Sequence, residues 1–263
     1  MTTQNTLSVL LAQMQIYWED AKTNCMKIEQ QLRQQSKAVD IVVLPEMFNS
    51  GFQVQGDKVA ETMNGYTVNW MKENAQRMNS VICGSLAIKE QQQCYNRLVW
   101  IEPSGAVSYY DKRHLFAMAG ENERYSAGKE RVVVNYKGWK ILLQVCYDLR
   151  FPVFTAQQPE EWYDLILFVA NWPKERQFAW NTLLPARAIE NQSYVIGLNR
   201  IGKDGRGLEY GGNSQILDGM GEKIVDLRDL ESFEPGSLDL YSLQQMRKNL
   251  PFLRDTDRFE CKL

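Results

Sequence analysis

The chain has 263 residues, of which 44% are hydrophobic, and this length suits one large α/β domain better than two small ones. Thirty Lys and Arg residues nearly balance thirty-two Asp and Glu residues, and no basic run is present, which argues against binding to nucleic acid or to an anionic membrane. Because the start lacks a signal-peptide pattern and no apolar run approaches the roughly 20 residues of a membrane span, we expect a cytoplasmic protein.

The five cysteines are odd in number and scattered, and none forms a C-x-x-C pair. This usage argues against a disulfide framework and against a zinc site. We therefore expect free thiols and no metal.

The hydrophobic pattern predicts that the chain begins with a strand, a helix and a second strand. Residues 6–13 predict the first strand, and residues 18–35 carry apolar side chains at helical spacing. Residues 40–45 form a short apolar run that is typical of a buried strand, and Glu46 follows it directly. Glu46 therefore stands where strands present functional groups.

In the second quarter of the chain, the hydrophobic pattern predicts a helix followed by hairpin strands. Its predicted elements are a helix at 66–79 and strands at 81–88, 97–102 and 107–112. Lys112 arrives at a strand end, as Glu46 does. Residues 113–128 have no clear period, and we predict that they form a long ordered loop with a function.

Residues 139–145 predict a buried strand that delivers the thiol of Cys146 into a turn. A strand end holds the backbone rigidly, and the backbone N–H groups of the following turn can stabilise negative charge on an oxygen. Cys146 is therefore a candidate nucleophile, although a single cysteine is also commonly a small buried hydrophobe.

The rest of the chain alternates again before it ends in hairpins. Beyond a strand at 131–136, the predicted elements are a short helix at 151–158, a strand at 164–170, a helix at 176–192, and strands at 194–199, 214–217, 223–225 and 237–240. Pro185 predicts a kink or a break in the longer helix. This order predicts mixed sheets covered by helices, which is a layered α/β sandwich. Residues 249–263 have no usable period and could reach another subunit.

A cysteine attacks as its thiolate, and in most cysteine hydrolases a histidine takes the proton. His114 is the only histidine, so a papain-like pair would depend entirely on it. A desolvated glutamate can act as the base instead, while a neighbouring ammonium favours the thiolate. Glu46, Lys112 and Cys146 fit these roles.

Three short segments resemble, in order, the catalytic signatures of the nitrilase, or carbon–nitrogen hydrolase, superfamily. They are Leu44-Pro-Glu-Met-Phe48, Asp111-Lys-Arg-His-Leu-Phe116 and Val145-Cys-Tyr-Asp-Leu-Arg-Phe-Pro152. A fourth segment, Ala186-Arg-Ala-Ile-Glu-Asn191, is similar to a further pattern of that family, so the resemblance runs to about residue 240. The cysteine segment, the Ala-Gly-Glu loop and residues 169–173 look most similar to bacterial ω-amidases, which act on α-keto acid amides such as 2-oxoglutaramate and 2-oxosuccinamate.

The resemblance implies a four-layer α-β-β-α sandwich in a single domain over residues 1–263, paired into a homodimer. Residues 241–263 are expected to form a C-terminal extension that contacts the partner subunit. The implied reaction needs no metal and no organic cofactor, and it acts on a small-molecule amide through a cysteine thioester.

The implied roles fall on the residues already singled out. Cys146 is the nucleophile, Glu46 is the general base, and Lys112 and the backbone N–H of Tyr147 hold the oxyanion. Many family members carry a second glutamate seven residues before a glycine, and Glu121 stands at that spacing from Gly128. We predict that Glu121 positions Lys112 or the substrate.

Glu123, in the same loop, competes with Glu121 for that role. For the substrate, an α-keto carboxylate needs a cation, and Arg176 lies just beyond Trp172 near a predicted helix start, although it could be an ordinary solvated arginine. Phe116, Trp172 and Tyr147 could form an apolar wall for the substrate or belong to the core.

Structural interpretations are favoured for four other charged residues. Asp148 and Arg150 are predicted to pair with buried partners and to hold the turn after the cysteine in shape. Arg187 and Glu190 are predicted to form an internal brace on one helical face.

Two other functions stay open from sequence. One is another amidase activity of the superfamily, on an N-carbamoyl amino acid or a deaminated-glutathione-like amide, with nitrile hydrolysis less favoured. The other is a catalytically inactive member that serves as a binding or scaffold protein.

Overall fold

Two six-stranded mixed sheets carry the structure, a computed structural model that describes residues 6–158 and 161–257. The strands of these residues are, in chain order, β1 (Thr6–Gln13), β2 (Ile41–Val43), β3 (Val81–Glu90), β4 (Gln93–Ile101), β5 (Val107–Asp111), β6 (Val133–Tyr136), β7 (Trp139–Val145), β8 (Leu165–Ala170), β9 (Tyr194–Asn199), β10 (Ile201–Lys203), β11 (Glu209–Gly211), β12 (Gln215–Leu217), β13 (Lys223–Asp226) and β14 (Ser232–Asp239). The α-helices are α1 (Ala21–Arg33), α2 (Tyr66–Met78), α3 (Pro152–Thr155), α4 (Gln177–Asn191) and α5 (Leu240–Asn249).

The sheets share one construction. The first has the strand order β14-β1-β2-β3-β4-β5 and the second has the order β13-β12-β9-β8-β7-β6. Parallel strands occupy the centre of each, β1 with β2 and β3 in one and β7 with β8 and β9 in the other, and antiparallel strands extend both edges. Because parallel neighbours point the same way, the segments after β7 and β8 leave the second sheet at one edge.

The apolar strands bury both of their faces. In β7 only Lys140 is exposed, and every residue of β8 and β9 is buried. Continuous apolar runs of this kind are typical of parallel strands that are covered on both sides. Fully burying one such large side chain stabilises the fold by about 1.5–3 kcal/mol.

One hydrophobic cluster joins the two sheets. It contains Val9 and Trp100 from the first sheet together with Ile141, Leu167 and Ile196 from the second. The alternate residues of the same strands point away from this cluster, because successive side chains of a strand lie on opposite faces.

Helices cover those opposite faces. Ile28 of α1 and Val68 of α2 pack with Ile82 of the first sheet in a second cluster. Trp180 and Leu184 of α4 pack with the second sheet in a third. Each sheet therefore has apolar contacts on both of its faces.

Most predicted elements are confirmed to within a few residues, and the differences have local causes. Pro185 lies inside α4, and the helix continues from Gln177 to Asn191, so the chain does not break there and a kink at Pro185 stays a prediction. The helix α5 was not predicted, because its sequence is mostly polar and only Leu240 and Leu243 are buried. The strands β10 and β11, which were not predicted, form a hairpin and have only three residues each.

The expectations about thiols and membranes concern the same described residues. Cys25, Cys83, Cys94 and Cys146 are free thiols. Among residues 6–158 and 161–257, no helix combines the length and the apolar character needed to cross a membrane. The predicted C-terminal extension, residues 241–263, lies partly outside the described residues, which end at residue 257.

Candidate active site

A cavity of about 220 Å³ opens where strands of the two sheets end. Glu46 follows β2 and Lys112 follows β5, both in the first sheet. Cys146 follows β7 in the second sheet. All three side chains line the cavity, so the structure brings together the residues that were singled out as nucleophile, base and oxyanion lysine.

Cys146 occupies a strained position at the start of a turn. It begins the 3-10 turn Cys146–Arg150 directly after β7, and its backbone lies in the left-handed region with φ of 46°. A non-glycine residue in a sparsely populated conformation costs about 1–3 kcal/mol, so the surrounding contacts must hold it there.

Asp148 supplies most of those contacts. Its buried carboxylate accepts hydrogen bonds from the Tyr110 hydroxyl at 2.8 Å and from the backbone N–H groups of Val145 and His114 at 2.9 and 3.0 Å. These contacts confirm the prediction that Asp148 has buried partners and holds the turn after the cysteine in shape. It ties the strand end before the cysteine to the loop after β5.

Arg187 of α4 braces the same turn from the helix side. Its Nη2 donates to the backbone oxygen of Leu149 at 2.6 Å, and its Nη1 lies 2.9 Å from Glu190. The predicted pairing of Arg187 with Glu190 is confirmed, and the pair connects α4 to the cysteine turn.

His114 is engaged away from the thiol. Its Nδ1 lies 2.7 Å from the Asp148 carboxylate, and its ring stacks on Phe151 with centroids 3.9 Å apart. Phe154 packs edge-on against the same ring. These contacts make His114 part of the frame, and nothing in them supports a papain-like pair with Cys146.

Lys112 lies between two buried carboxylates. Its Nζ is 3.1 Å from Glu46 Oε1 and 2.9 Å from Glu121 Oε2, and none of the three side chains is more than 1% exposed. Glu121 also accepts the backbone N–H of Phe116 at 2.6 Å. Glu123 is exposed, so the structure places Glu121 and not Glu123 against the lysine.

Burial and the neighbouring charges shift the proton affinities of these groups. Burial raises the pKa of the Cys146 thiol well above its ordinary value, and the negative charge of Glu46 raises it further, while Lys112 opposes this shift. Burial lowers the pKa of Lys112, but the two carboxylates more than offset this and the pKa lies above its ordinary value. Burial also raises the pKa of Glu121. At neutral pH the site therefore holds an ammonium ion and a neutral thiol.

Two asparagines that sequence analysis did not single out contact Glu46. Asn96 Nδ2 donates to Glu46 Oε1 at 2.7 Å and to Glu121 Oε1 at 3.1 Å. The backbone N–H of Asn171 donates to Glu46 Oε2 at 2.7 Å. The sequence could have pointed to both residues. Asn96 is a polar residue in the strand β4, and Asn171 directly follows β8 as Cys146 directly follows β7.

The predicted substrate residues all reach the cavity. Phe116, Tyr147, Trp172 and Arg176 line it, and the rings of Phe116 and Tyr147 meet edge to face at 5.0 Å. The Arg176 guanidinium lies 5.2 Å from the centre of the Phe116 ring and 3.0 Å from the exposed carboxylate of Glu175.

The prediction for Arg150 was wrong. Its side chain is exposed, lines the cavity and lies over the Trp172 ring at 4.9 Å, where the sequence had predicted a buried partner. Arg150 stands at the end of the short turn that Cys146 begins, so the turn itself carries the side chain to the cavity wall. Within the residues that the structure describes, Arg150 takes part in no ion pair.

The hairpin of β10 and β11 completes the wall with Arg206, Leu208 and Tyr210. Asp204 holds this segment together, since its carboxylate accepts from the backbone N–H groups of Arg206 and Leu208 and from the Tyr210 hydroxyl. Sequence analysis had assigned this segment no role, because it carries no motif.

No group of three or more His, Cys, Asp or Glu side chains is placed to hold a metal ion within residues 6–158 and 161–257. The expectation that the protein uses no metal and no organic cofactor stays a prediction.

The chain matches the carbon–nitrogen hydrolase family over residues 9–248. Omega-amidase YafV of Yersinia enterocolitica is 44% identical over 258 residues, which cover 97% of this chain and 98% of that protein. The 2-oxoglutaramate amidase of Bacillus subtilis is 29% identical and covers 92% of this chain and 95% of its own. The crystal structure of a CN-hydrolase superfamily protein from Xanthomonas campestris, with an arsenic adduct in its active site, is 42% identical, has a TM-score of 0.94, and covers 97% of this chain and 99% of that one.

The contacts of Asp148 predict a stability effect. Asp148→Asn replaces one acceptor oxygen by an amide donor, so we expect the free energy of unfolding to fall by about 1–3 kcal/mol, the cost of one buried donor left without an acceptor. The measurement is urea denaturation followed by tryptophan fluorescence. Asp57→Asn, on a side chain that is 76% exposed, is the control and should change stability by less than about 0.5 kcal/mol. Equal losses in both variants would contradict the frame role.

Proposed function

The chain belongs to the carbon–nitrogen hydrolase family, as its motifs predicted, and from this premise we propose that it hydrolyses the terminal amide of a small α-keto acid, of the 2-oxoglutaramate or 2-oxosuccinamate type, to the dicarboxylate and ammonia. The observation that carries the proposal is the meeting of a thiol, a carboxylate and an ammonium ion in one cavity. The ω-amidase and 2-oxoglutaramate amidase relatives support the substrate class.

In the proposed acylation, the Cys146 sulfur attacks the amide carbon while Glu46 accepts the thiol proton. Because the pKa of the thiol is raised, proton transfer to Glu46 accompanies the attack, and no stable thiolate precedes it. The carbonyl oxygen becomes an oxyanion, which Lys112 and the backbone N–H of Tyr147 stabilise. One such donor is worth about 3 kcal/mol of barrier.

Collapse of this tetrahedral intermediate breaks the C–N bond. The leaving nitrogen takes the proton from Glu46 and departs as ammonia, and Cys146 is left as a thioester. Glu46 then removes a proton from water, which attacks the thioester carbon, and the thiol leaves with that proton as the acid is released.

Glu121 has a positioning role in this proposal. Its carboxylate lies 2.9 Å from Lys112 Nζ and keeps the ammonium charged in a buried site. A fixed cation costs no reorganisation when the oxyanion forms, and this is the condition under which electrostatic stabilisation is largest.

For the carboxylate of the substrate, we propose Arg150 as the main partner and Arg176 as the second. Arg176 already lies beside Glu175, whereas no ion pair involves Arg150 in the described part of the chain. A guanidinium group can bind a carboxylate through two parallel hydrogen bonds. The apolar rings of Phe116 and Trp172 would pack against the chain of the substrate between the two ends.

We also propose that the helices and sheets stack as four layers, α-β-β-α, in one domain, and that two copies pair. The layer order is supported by the cluster between the sheets and by the two clusters between sheet and helix. The cytoplasmic location, and the contact of residues 241–263 with a partner subunit, stay predictions.

The proposed dimer surface is the outer face of α4. Phe178 and Ile189 are 84% and 55% exposed, and they lie on one side of the helix because eleven residues make about three turns. Met220, which is 50% exposed, lies nearby, since the adjacent Gly221 packs against Ile189. Large apolar side chains exposed on one face suit an interaction site better than isolated ones do.

The substrate proposal is tested by ammonia release from a panel of amides. We expect the highest kcat/KM on 2-oxoglutaramate or 2-oxosuccinamate, and Cys146→Ala should lower kcat at least about 1,000-fold, since it removes the nucleophile. Activity only on N-carbamoyl amino acids or on a deaminated-glutathione-like amide would contradict the proposed keto-acid amide and would assign that other substrate class instead. Absence of activity on every amide would favour a binding or scaffold protein.

Arg150→Met should raise KM for a keto-acid amide about 10- to 100-fold, the effect of losing a charged hydrogen bond of about 1.5–3 kcal/mol. The same variant should leave KM for a neutral primary amide of similar length unchanged, because that substrate has no carboxylate. Arg176→Met should show a smaller effect, and Arg33→Met, on an exposed helix side chain, serves as the control. A larger effect at Arg176 than at Arg150 would reverse their assignment.

Ile189→Glu or Phe178→Glu should convert the dimer to a monomer, because a charge in the centre of an apolar interface must be desolvated without a partner. The measurement is sedimentation velocity. Leu230→Glu, on a residue that is 69% exposed, is the matched control and should leave the dimer intact. A dimer that persists in both α4 variants would place the interface elsewhere.

A further inference from the structure

We infer that Asn96 is a positioning residue of the proposed reaction, which holds the carboxylates of Glu46 and Glu121 on its two amide hydrogens and so places Glu46 to receive the proton of Cys146. The inference rests on the proposed function. Asn96 lies in the middle of β4, is fully buried, and is not part of the cavity wall, so it does not touch the substrate.

The two hydrogen bonds of the amide group are divided between the carboxylates. Asn96 Nδ2 lies 2.7 Å from Glu46 Oε1 and 3.1 Å from Glu121 Oε1. An amide NH₂ group carries two hydrogens, so one is available for each carboxylate. Lys112 bonds to the same two oxygens, each at 3.1 Å. Asn96 and Lys112 together therefore fix both carboxylates.

The orientation of the Asn96 amide group follows from the hydrogen bond of its oxygen. Asn96 Oδ1 lies 2.8 Å from the Ser85 hydroxyl oxygen, which itself accepts the backbone N–H of Met47 at 3.0 Å. The Ser85 hydrogen is thus free to be donated to Asn96 Oδ1. A flipped amide would set its oxygen against two carboxylates, and this repulsion excludes it.

Ser85 also connects Asn96 to the backbone next to Glu46. Met47, whose N–H it accepts, directly follows Glu46 and has a left-handed backbone with φ of 44°. In addition, the backbone oxygen of Asn96 accepts the N–H of Lys112 at 2.9 Å. The Asn96 side chain is therefore linked to Glu46 directly and, by way of Ser85, to Met47, while its backbone is linked to Lys112.

The charge count explains why an uncharged donor suits this position. Glu46 and Glu121 bring two negative charges against the one positive charge of Lys112. Two carboxylates in one buried site repel each other, and one of them takes up a proton unless donors satisfy the charged forms. A second cation would satisfy them too, but it would also make Glu46 a weaker base. An amide supplies the hydrogen bonds without the charge.

The test is the pH dependence of kcat/KM for a keto-acid amide in wild type and in Asn96→Leu. Loss of the donor removes a hydrogen bond that the carboxylate of Glu46 accepts, so activity, which needs this carboxylate, should begin at a higher pH. We expect the acid limb to move up by about one pH unit and kcat at pH 7 to fall about 10- to 100-fold. KM should change little, because Asn96 does not reach the cavity.

Ser85→Ala provides a milder variant that keeps the asparagine. It removes the partner of Asn96 Oδ1, and we expect a shift of the acid limb in the same direction but smaller. Asn69→Leu, on the exposed side of α2, is the matched control and should leave both the rate and the profile unchanged. An unshifted acid limb in Asn96→Leu and Ser85→Ala would overturn the inference, even where kcat has fallen.

An infrared measurement separates this inference from the proposed function. At neutral pH, the C=O band of a buried carboxylic acid should be stronger in Asn96→Leu than in wild type, and the added substitution Glu46→Gln should remove this increase. The band does not depend on turnover, so it decides the inference even if wild type hydrolyses no amide. A spectrum of Asn96→Leu that matches wild type would contradict it.

Discussion

The placement of one lysine between two carboxylates is the constraint on which the site depends. Lys112 Nζ lies within hydrogen-bonding distance of both Glu46 and Glu121, and all three side chains are shielded from water. A buried charge without its partner costs several kcal/mol, so each of the three requires the others. They come from the segments after β2 and β5 and from the loop that follows. The ion cluster therefore holds these segments together and at the same time arranges the groups that carry the proposed chemistry.

The thiol is held by a different device in the other sheet. Cys146 has an unfavourable backbone conformation, and the turn that contains it is tied by Asp148 to the loop after β5 and by Arg187 to α4. Because both frames are buried and hydrogen-bonded, neither needs to rearrange when a substrate enters. Near the site the two sheets are also linked by the backbone N–H of Asn171, which follows β8 and donates to Glu46. The proposed nucleophile and the proposed base are thus fixed from separate sheets.

Charge in the cavity is distributed by depth. Glu46 and Lys112 are its buried charged residues, whereas Arg150, Arg176 and Arg206 are more exposed, and Arg150 and Arg176 lie over the rings of Trp172 and Phe116. A small molecule with an amide at one end and a carboxylate at the other would find complementary groups at both. The exposed arginines and the buried carboxylate of Glu46 also favour that orientation over the reverse, since the reverse would set a carboxylate against Glu46.

Sequence by itself determined the elements with strong local signals and the residues that stand directly at their ends. Apolar runs predicted the central strands, and a single reactive side chain after each of three strands, together with the family motifs, singled out Glu46, Lys112 and Cys146. Tertiary structure alone decided which groups surround them. Asn96 and Asn171 are 50 and 125 residues from Glu46, so their contacts depend on strand register and on how the sheets meet. The prediction of a buried partner for Arg150 was wrong because the short turn after β7 sets where its side chain points, and the sequence of a turn has no periodic pattern that shows this.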